Sequence, residues 1–250
     1  MVSFAPEPII KLGILSITNT LLDTFLVDLI LLAAIYFIRK NLSLIPNFFQ
    51  NAVESIIEVF YNLTESIAQN RTAKIFPFVL SFFLFILLTN WSGLIPGVGT
   101  IGFFEEKKLI PIIRSATSDL NLTLALAFIS AIATHALSIK TVGIKDYLSR
   151  YFSLNPMKLF IGILEIISEI TKVISLSFRL FGNIFAGEVV LLTVSTIFAF
   201  IFPLPFLLLE VIVGFVQALV FAMLTMTFMS ILTTPHHESA ALNTKGGETV

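Results

Sequence analysis

Cysteine is absent from the 250 residues, which excludes a disulfide framework and any thiolate metal site. Charge is scarce. Lysine, arginine, aspartate and glutamate make up 12% of the chain, roughly half of the ~25% found in an average soluble domain. Charge of one sign is missing as well: the formal net charge is −1, so no basic field attracts a nucleic acid. No Gly-rich phosphate loop and no nucleophile constellation can be found in the sequence. What is there is apolar. Hydrophobic residues reach 56%, phenylalanine alone numbers 26, and the mean hydropathy is +0.97. One soluble core of this size cannot hold them, so much of the apolar surface must face lipid. A soluble enzyme, a nucleic-acid binder and a disordered protein are excluded, and the expected fold class is an all-α polytopic membrane protein.

A spanning helix needs about 20 mostly apolar residues. Met1 to Lys11, with Pro6, Glu7 and Pro8, does not read as a cleavable signal peptide. The first span is expected at about 17–38, closed by Arg39 and Lys40 and carrying Asp23 and Asp28. Segment 44–69 carries Glu54, Glu58 and Glu65 on one face, which predicts an amphipathic helix at the membrane surface. A second span is expected at about 75–95, with Asn90, Trp91 and Ser92 as an interfacial anchor. Pro96-Gly97 ends it, and 98–118 reads as a polar loop. A third span is expected at about 120–139. Two long helices follow, 156–200 and 203–233, folded as a tilted hairpin about the turn Phe202-Pro203-Leu204-Pro205. At about 1.5 Å per residue the first is too long for a perpendicular crossing.

Segments 39–74 and 140–158 hold four Lys/Arg each, whereas 1–20 and 96–118 hold one and three. That bias places the N-terminus outside and the C-terminus in the cytoplasm. No internal repeat or linker divides residues 1–250, which read as a single membrane domain.

Ionisable groups at membrane depth are costly and usually functional. Glu165, Ser168, Lys172, Ser175, Arg179, Asn183 and Ala186 follow one another at steps of three and four, one continuous stripe on an otherwise apolar helix. Arg179 is too central to snorkel and stays protonated at any accessible pH. On the last helix Glu210, Gly214, Gln217 and Phe221 share a face, and Gly214, Ala218 and Ala222 form a small-residue ridge that lets another helix approach closely. Folded as a hairpin, the two helices bring Arg179 and Gln217 to comparable depth, with Glu188 and Glu210 nearer the outer side. One cation with carboxyls to one side of it is the electrostatics of an ion path with a gate.

The run Ser175-Leu176-Ser177-Phe178-Arg179-Leu180-Phe181-Gly182-Asn183, continued by Ala186-Gly187-Glu188 and then by Glu210, Gln217, Ala218 and Phe221, resembles the signature of subunit a of the F-type ATP synthase. Asn47-Phe48 with Gln50 and Glu54, and Ser118-Asp119-Leu120-Asn121-Leu122-Thr123, are similar to further parts of that family's pattern. The resemblance covers nearly the whole chain and looks bacterial, which implies a multi-pass protein of the bacterial inner membrane. It implies the proton-conducting stator half of a rotary machine, with two half-channels facing a c-ring of carboxyl-bearing subunits. Its partners would be that ring, the peripheral stalk of subunit b and the rest of the complex, and it would hold no cofactor, metal or nucleotide. Arg179 matches the arginine that separates the half-channels. Asn183, Glu188, Glu210 and Gln217 match the outer half-channel, and Ser175 the inner one. Many members pair an acid with a histidine where this chain has Glu188 and Glu210, which suggests two carboxyls sharing one proton. Each proton crossing 100 mV releases about 2.3 kcal/mol.

Plainer readings stand beside these. Glu210 and Gln217 also suit interhelical hydrogen bonding, and Arg179 a structural ion pair. Lys172 and Glu165 suit a snorkelled interface pair, and Asp119, Asn121 and Thr123 suit a helix cap. Asp23 and Asp28 suit the outer interface, Asp28 being kept with Asp119, Asn121 and Lys172 as secondary candidates. His135 reads as a satisfied polar group, and His236-His237 have no ligand spacing for a metal. The rival functions are a self-contained secondary transporter with Arg179 binding an anionic substrate, and a purely structural membrane anchor.

Overall fold

In a computed structural model of the chain, residues 8–12, 15–44, 46–95, 102–105, 108–151, 156–197 and 202–234 are described. The chain is built from seven helices among these residues: α1 Asn19–Lys40, α2 Phe48–Ala68, α3 Thr72–Ser92, α4 Leu120–Val142, α5 Ile144–Tyr151, α6 Pro156–Ile197 and α7 Pro203–Thr233. Two antiparallel hairpins join them, β1 Pro8–Leu12 with β2 Leu15–Thr18, and β3 Gly102–Glu105 with β4 Lys108–Pro111. Four stretches, Asn19–Lys40, Phe48–Ser92, Leu120–Val142 and Pro203–Thr233, are long and apolar enough to cross a membrane. The chain is an all-α polytopic membrane protein, and its apolar side chains face outward as lipid requires: Phe25, Leu29 and Leu32 on α1 are each more than 60% exposed.

Helix ends follow the local chemistry. Thr18 caps α1 by accepting the Leu21 N–H at 3.3 Å, and Arg39 and Lys40 sit in its last turn, where the helix dipole favours cations. Hydropathy places this helix at 17–38. Asp119 caps α4 through the Asn121 N–H at 2.9 Å. Gly143 closes that helix with φ +92°, a conformation that glycine adopts without steric cost. Pro203 opens α7, where its missing N–H is harmless. Between α2 and α3 lies one 3-10 turn, Gln69–Arg71. The loop expected at 98–118 contains the β3–β4 hairpin, with Phe103 opposite Ile110 and Phe104 opposite Leu109. Aromatic and β-branched residues favour such a strand pair. The Pro96-Gly97 break, residues 198–200 of the tilted helix, the first residues of the chain and His236-His237 lie outside the described residues.

Helix α7 is central, packed against α2, α3, α4 and α6. Its buried residues, Glu210, Gly214, Gln217, Ala218, Phe221, Ala222, Thr225, Met226 and Met229, repeat at helical spacing. The Gly214–Ala222 ridge lies against α3: Asn90 Cβ stands 3.2 Å from where a Gly214 β-carbon would be, closer than ordinary contact, and Asn90 donates Nδ2 to the Gly214 carbonyl at 2.9 Å. The apolar core adds Ile75, Val79, Phe82, Phe83 and Ile86 of α3, and Leu176 and Leu180 of α6. Helix α6, at 42 residues, is about 63 Å long. Gly162 rests directly on the Tyr151 carbonyl at the end of α5.

Candidate functional site

Leu176, Leu180 and Ile184 turn into the core, which sends Ser175, Arg179 and Asn183 to the exposed side of α6. Arg179 donates from Nη2 to Ser175 Oγ one turn earlier, at 3.3 Å. Both line a cleft of about 430 Å³, with Ser168, Thr171, Lys172 and, from α7, Leu224 and Phe228. Lys172 does not pair with Glu165. Its Nζ is 2.8 Å from Glu169 and 4.9 Å from the Phe228 ring centre, because three residues place Glu169 on the adjoining face. Glu169 also lies 3.7 Å from His135 Nε2, and the other nitrogen of that ring is 2.9 Å from the Tyr147 hydroxyl. His135 is thus a partnered polar group on α4.

One turn beyond Arg179, Asn183 donates Nδ2 to Gln217 Oε1 of α7 at 2.8 Å, which sets the level at which the two helices meet. Gln217 is buried, as is Glu210 one face-repeat earlier. Glu210 Oε1 has no hydrogen-bond partner among the described residues. Gly187 lies against that carboxyl so closely that a β-carbon there would overlap both oxygens. The next residue, Glu188, does not stand free beside it. Arg114 Nε is 2.9 Å from Glu188 Oε1 and Nη2 is 3.0 Å from Oε2. The two-carboxyl site is therefore a cluster of two acids and one arginine. The sequence left Arg114 as one of three cations in a long loop, since nothing local links residue 114 to 188. Its nearness to the Ser118-Asp119 motif was the available signal.

The residues after Arg114 tie this cluster to α1 and α3. Ser115 Oγ donates to the Thr89 carbonyl at 2.8 Å, Thr117 Oγ1 to Asn90 Oδ1 at 2.7 Å, and the Ala116 N–H to Asp23 Oδ2 at 2.9 Å. Asp23, fully buried, also accepts from Ser92 Oγ at 2.9 Å. Its carboxyl is buried within the bundle rather than exposed on its surface. Asn90 and Ser92 belong to this buried network, and Trp91 donates Nε1 to the Val211 carbonyl at 3.1 Å, which joins α3 to α7. Asp119 accepts from Thr20 Oγ1 at 3.2 Å besides capping α4. Asn121 is exposed and donates Nδ2 back to Asp119. Asp28 is exposed on α1, away from this cluster.

An exposed arginine on α6, the Asn183–Gln217 bridge and the acids Glu188 and Glu210 thus lie along the same two helices. The family model described as ATP synthase A chain matches residues 21–230. The chain belongs to the ATP synthase A chain family. It is 34% identical over 230 residues to ATP synthase subunit a of Moorella thermoacetica, covering 92% of this chain and 97% of that one. It is 31% identical to ATP synthase subunit a 2 of Pelobacter propionicus, over 90% of each chain. To ATP synthase subunit a of Legionella pneumophila it is 30% identical, over 88% of each. The ATP synthase A chain match spans every residue of the α6–α7 cluster, from Arg114 to Gln217.

Proposed function

We propose that this chain is the proton-conducting stator subunit in the membrane sector of an F-type ATP synthase. It sits in the bacterial inner membrane with the N-terminus outside and the C-terminus in the cytoplasm, as one membrane domain with α6 and α7 forming the tilted hairpin and α2 lying at the interface. Two half-channels deliver protons to and from the carboxyls of a rotating c-ring, and subunit b of the peripheral stalk holds the chain against rotation. The observation that carries this is Arg179. It is exposed on a helix whose inward face is packed, it donates a hydrogen bond to Ser175 of the same helix, and it borders an open cleft. A permanent cation placed so is available to a carboxylate brought by another subunit, and it favours the ionised form of that group.

The cleft lined by Ser168, Lys172, Ser175 and Arg179 serves as the inner path. Asn183, Gln217, Glu188 and Glu210 serve the outer one, with Asp119 and Asn121 near its mouth and Lys172 at the inner mouth; Asp28 has the least support. Arg179 stands between the paths, so a proton crosses only by riding a ring carboxyl. The chain catalyses no bond-making step and binds no nucleotide itself. ATP synthesis by vesicles carrying the Arg179→Ala complex tests this reading. Loss of synthesis with the complex assembled is expected. Loss of small-solute uptake instead would point to a transporter, and failed assembly with coupling unchanged in the remaining complexes to an anchor.

A further inference from the structure

The grip on Glu188 is two-pronged. Arg114 Nε lies 2.9 Å from Oε1 and 3.3 Å from Oε2, and Nη2 lies 3.0 Å from Oε2. The arginine side chain is 7% exposed and the glutamate 27%. Planar fork-to-carboxylate pairing of this kind is strong and geometrically specific. The arginine is itself anchored, because Ser115, Ala116 and Thr117 are bonded to Thr89, Asp23 and Asn90. Other charged groups near the pair are few. Glu210 faces it from α7 beside Gly187. Asp23 on α1 and Asp119 before α4 are engaged with Ser92 and Thr20, and α3 presents Asn90 and Trp91.

We propose that Arg114 is a positioning residue of the ion path: it holds Glu188 as a fixed, charge-balanced post and leaves Glu210 as the acid that carries protons past it. Glu210 then takes one proton from water on the outer side and passes that proton on towards the ring carboxylate, returning to its starting state. This rests on the half-channel reading above and divides the labour between its two acids. Charge balance makes the idea testable. Neutralising Glu188 alone leaves a buried arginine charge to capture Glu210, and neutralising Arg114 alone leaves two acids side by side. Neutralising both restores the balance.

ATP synthesis per assembled complex is measured in inverted vesicles for Arg114→Gln, Glu188→Gln, the double variant and Arg114→Lys. Each single neutralisation is expected to lower the rate about tenfold or more, since an uncompensated buried charge is costly. The double variant is expected to run several-fold faster than either, and Arg114→Lys faster than Arg114→Gln. If Arg114→Gln fails to assemble while the double variant assembles, charge pairing is equally supported. A double variant no better than Glu188→Gln, in rate or in assembly, overturns the proposal and makes Glu188 itself the carrier. Arg179→Ala complexes run in parallel separate the two failures. Synthesis surviving there overturns the ion-path reading as a whole, whereas synthesis lost there with an unrescued double variant overturns only the role of Arg114.

Discussion

Around Glu188 and Glu210 the polar side chains are bonded across helices and loops, whereas the hydrogen bonds of Arg179 and Lys172 stay on α6. Arg114, Asp23, Asn90, Thr117 and Asp119 connect the 114–119 segment to α1, α3 and α6, and Asn90 reaches on to α7. Among the described residues Arg179 donates to Ser175 and Lys172 to Glu169, Lys172 also lying over the Phe228 ring of α7, at the wall of an open cleft. Under the proposed function, the difference follows from what each region would have to meet. Groups that relay protons to one another must keep a fixed geometry, and a buried polar network supplies it, here with Glu210 Oε1 and Asp23 Oδ1 left without hydrogen-bond partners among the described residues. A cation that must meet a succession of carboxyls on a moving partner has to remain exposed and unneutralised. The wired region is thus suited to a channel wall and the bare region to a sliding contact.

The contrast can be broken at several points. The largest effect outside Arg179 is expected at Glu210→Gln, which removes the acid proposed to carry the proton; ATP synthesis in vesicles should fall about a hundredfold, the scale on which a required acid–base group acts. Undiminished synthesis would remove Glu210 from the path. Gly187→Ala and Gly162→Ala should then part company. The first forces the flexible Glu210 carboxyl aside, so the complex assembles and synthesis drops several-fold, on the order of the penalty for a misplaced reacting group. The second drives a methyl group into the Tyr151 backbone carbonyl, which cannot yield, so the amount of assembled complex falls instead.

Smaller effects sharpen the comparison. Asp23→Leu leaves the Ala116 N–H unpaired, while the Ser92 hydroxyl keeps the Thr89 carbonyl, and should lower stability by about 1–3 kcal/mol, read as a lower melting temperature of the solubilised complex. Asn183→Ala breaks the bridge to Gln217, a membrane hydrogen bond worth about 0.6–2 kcal/mol, and should slow synthesis a few-fold without affecting assembly. Equal losses of assembly from Asp23→Leu and Asn183→Ala would erase the distinction between frame and path.

The helical architecture was legible because lipid leaves a sequence few choices: long apolar runs, Pro203 at a helix start, Asp119 before α4. Arg179, Asn183 and Gln217 were legible because helical spacing puts them on facing stripes. Arg114 was not, because its partner lies 74 residues away and a loop arginine has no periodicity to betray it. The partners of Asp23 were not legible either: its bond to the Ala116 N–H depends on how the loop before α4 folds back into the bundle. The β3–β4 hairpin was missed because Phe103, Phe104, Leu109 and Ile110 lie in a segment bounded by a Pro-Gly break and charged residues, where periods of two and of three or four are too short to separate.

The most direct test of Arg179 as the barrier between two half-channels is the passive proton conductance of vesicles carrying the assembled complex, compared between the natural chain and Arg179→Ala. The Arg179→Ala vesicles should conduct protons down an imposed potential while making no ATP. Vesicles that stay tight and keep making ATP would contradict it.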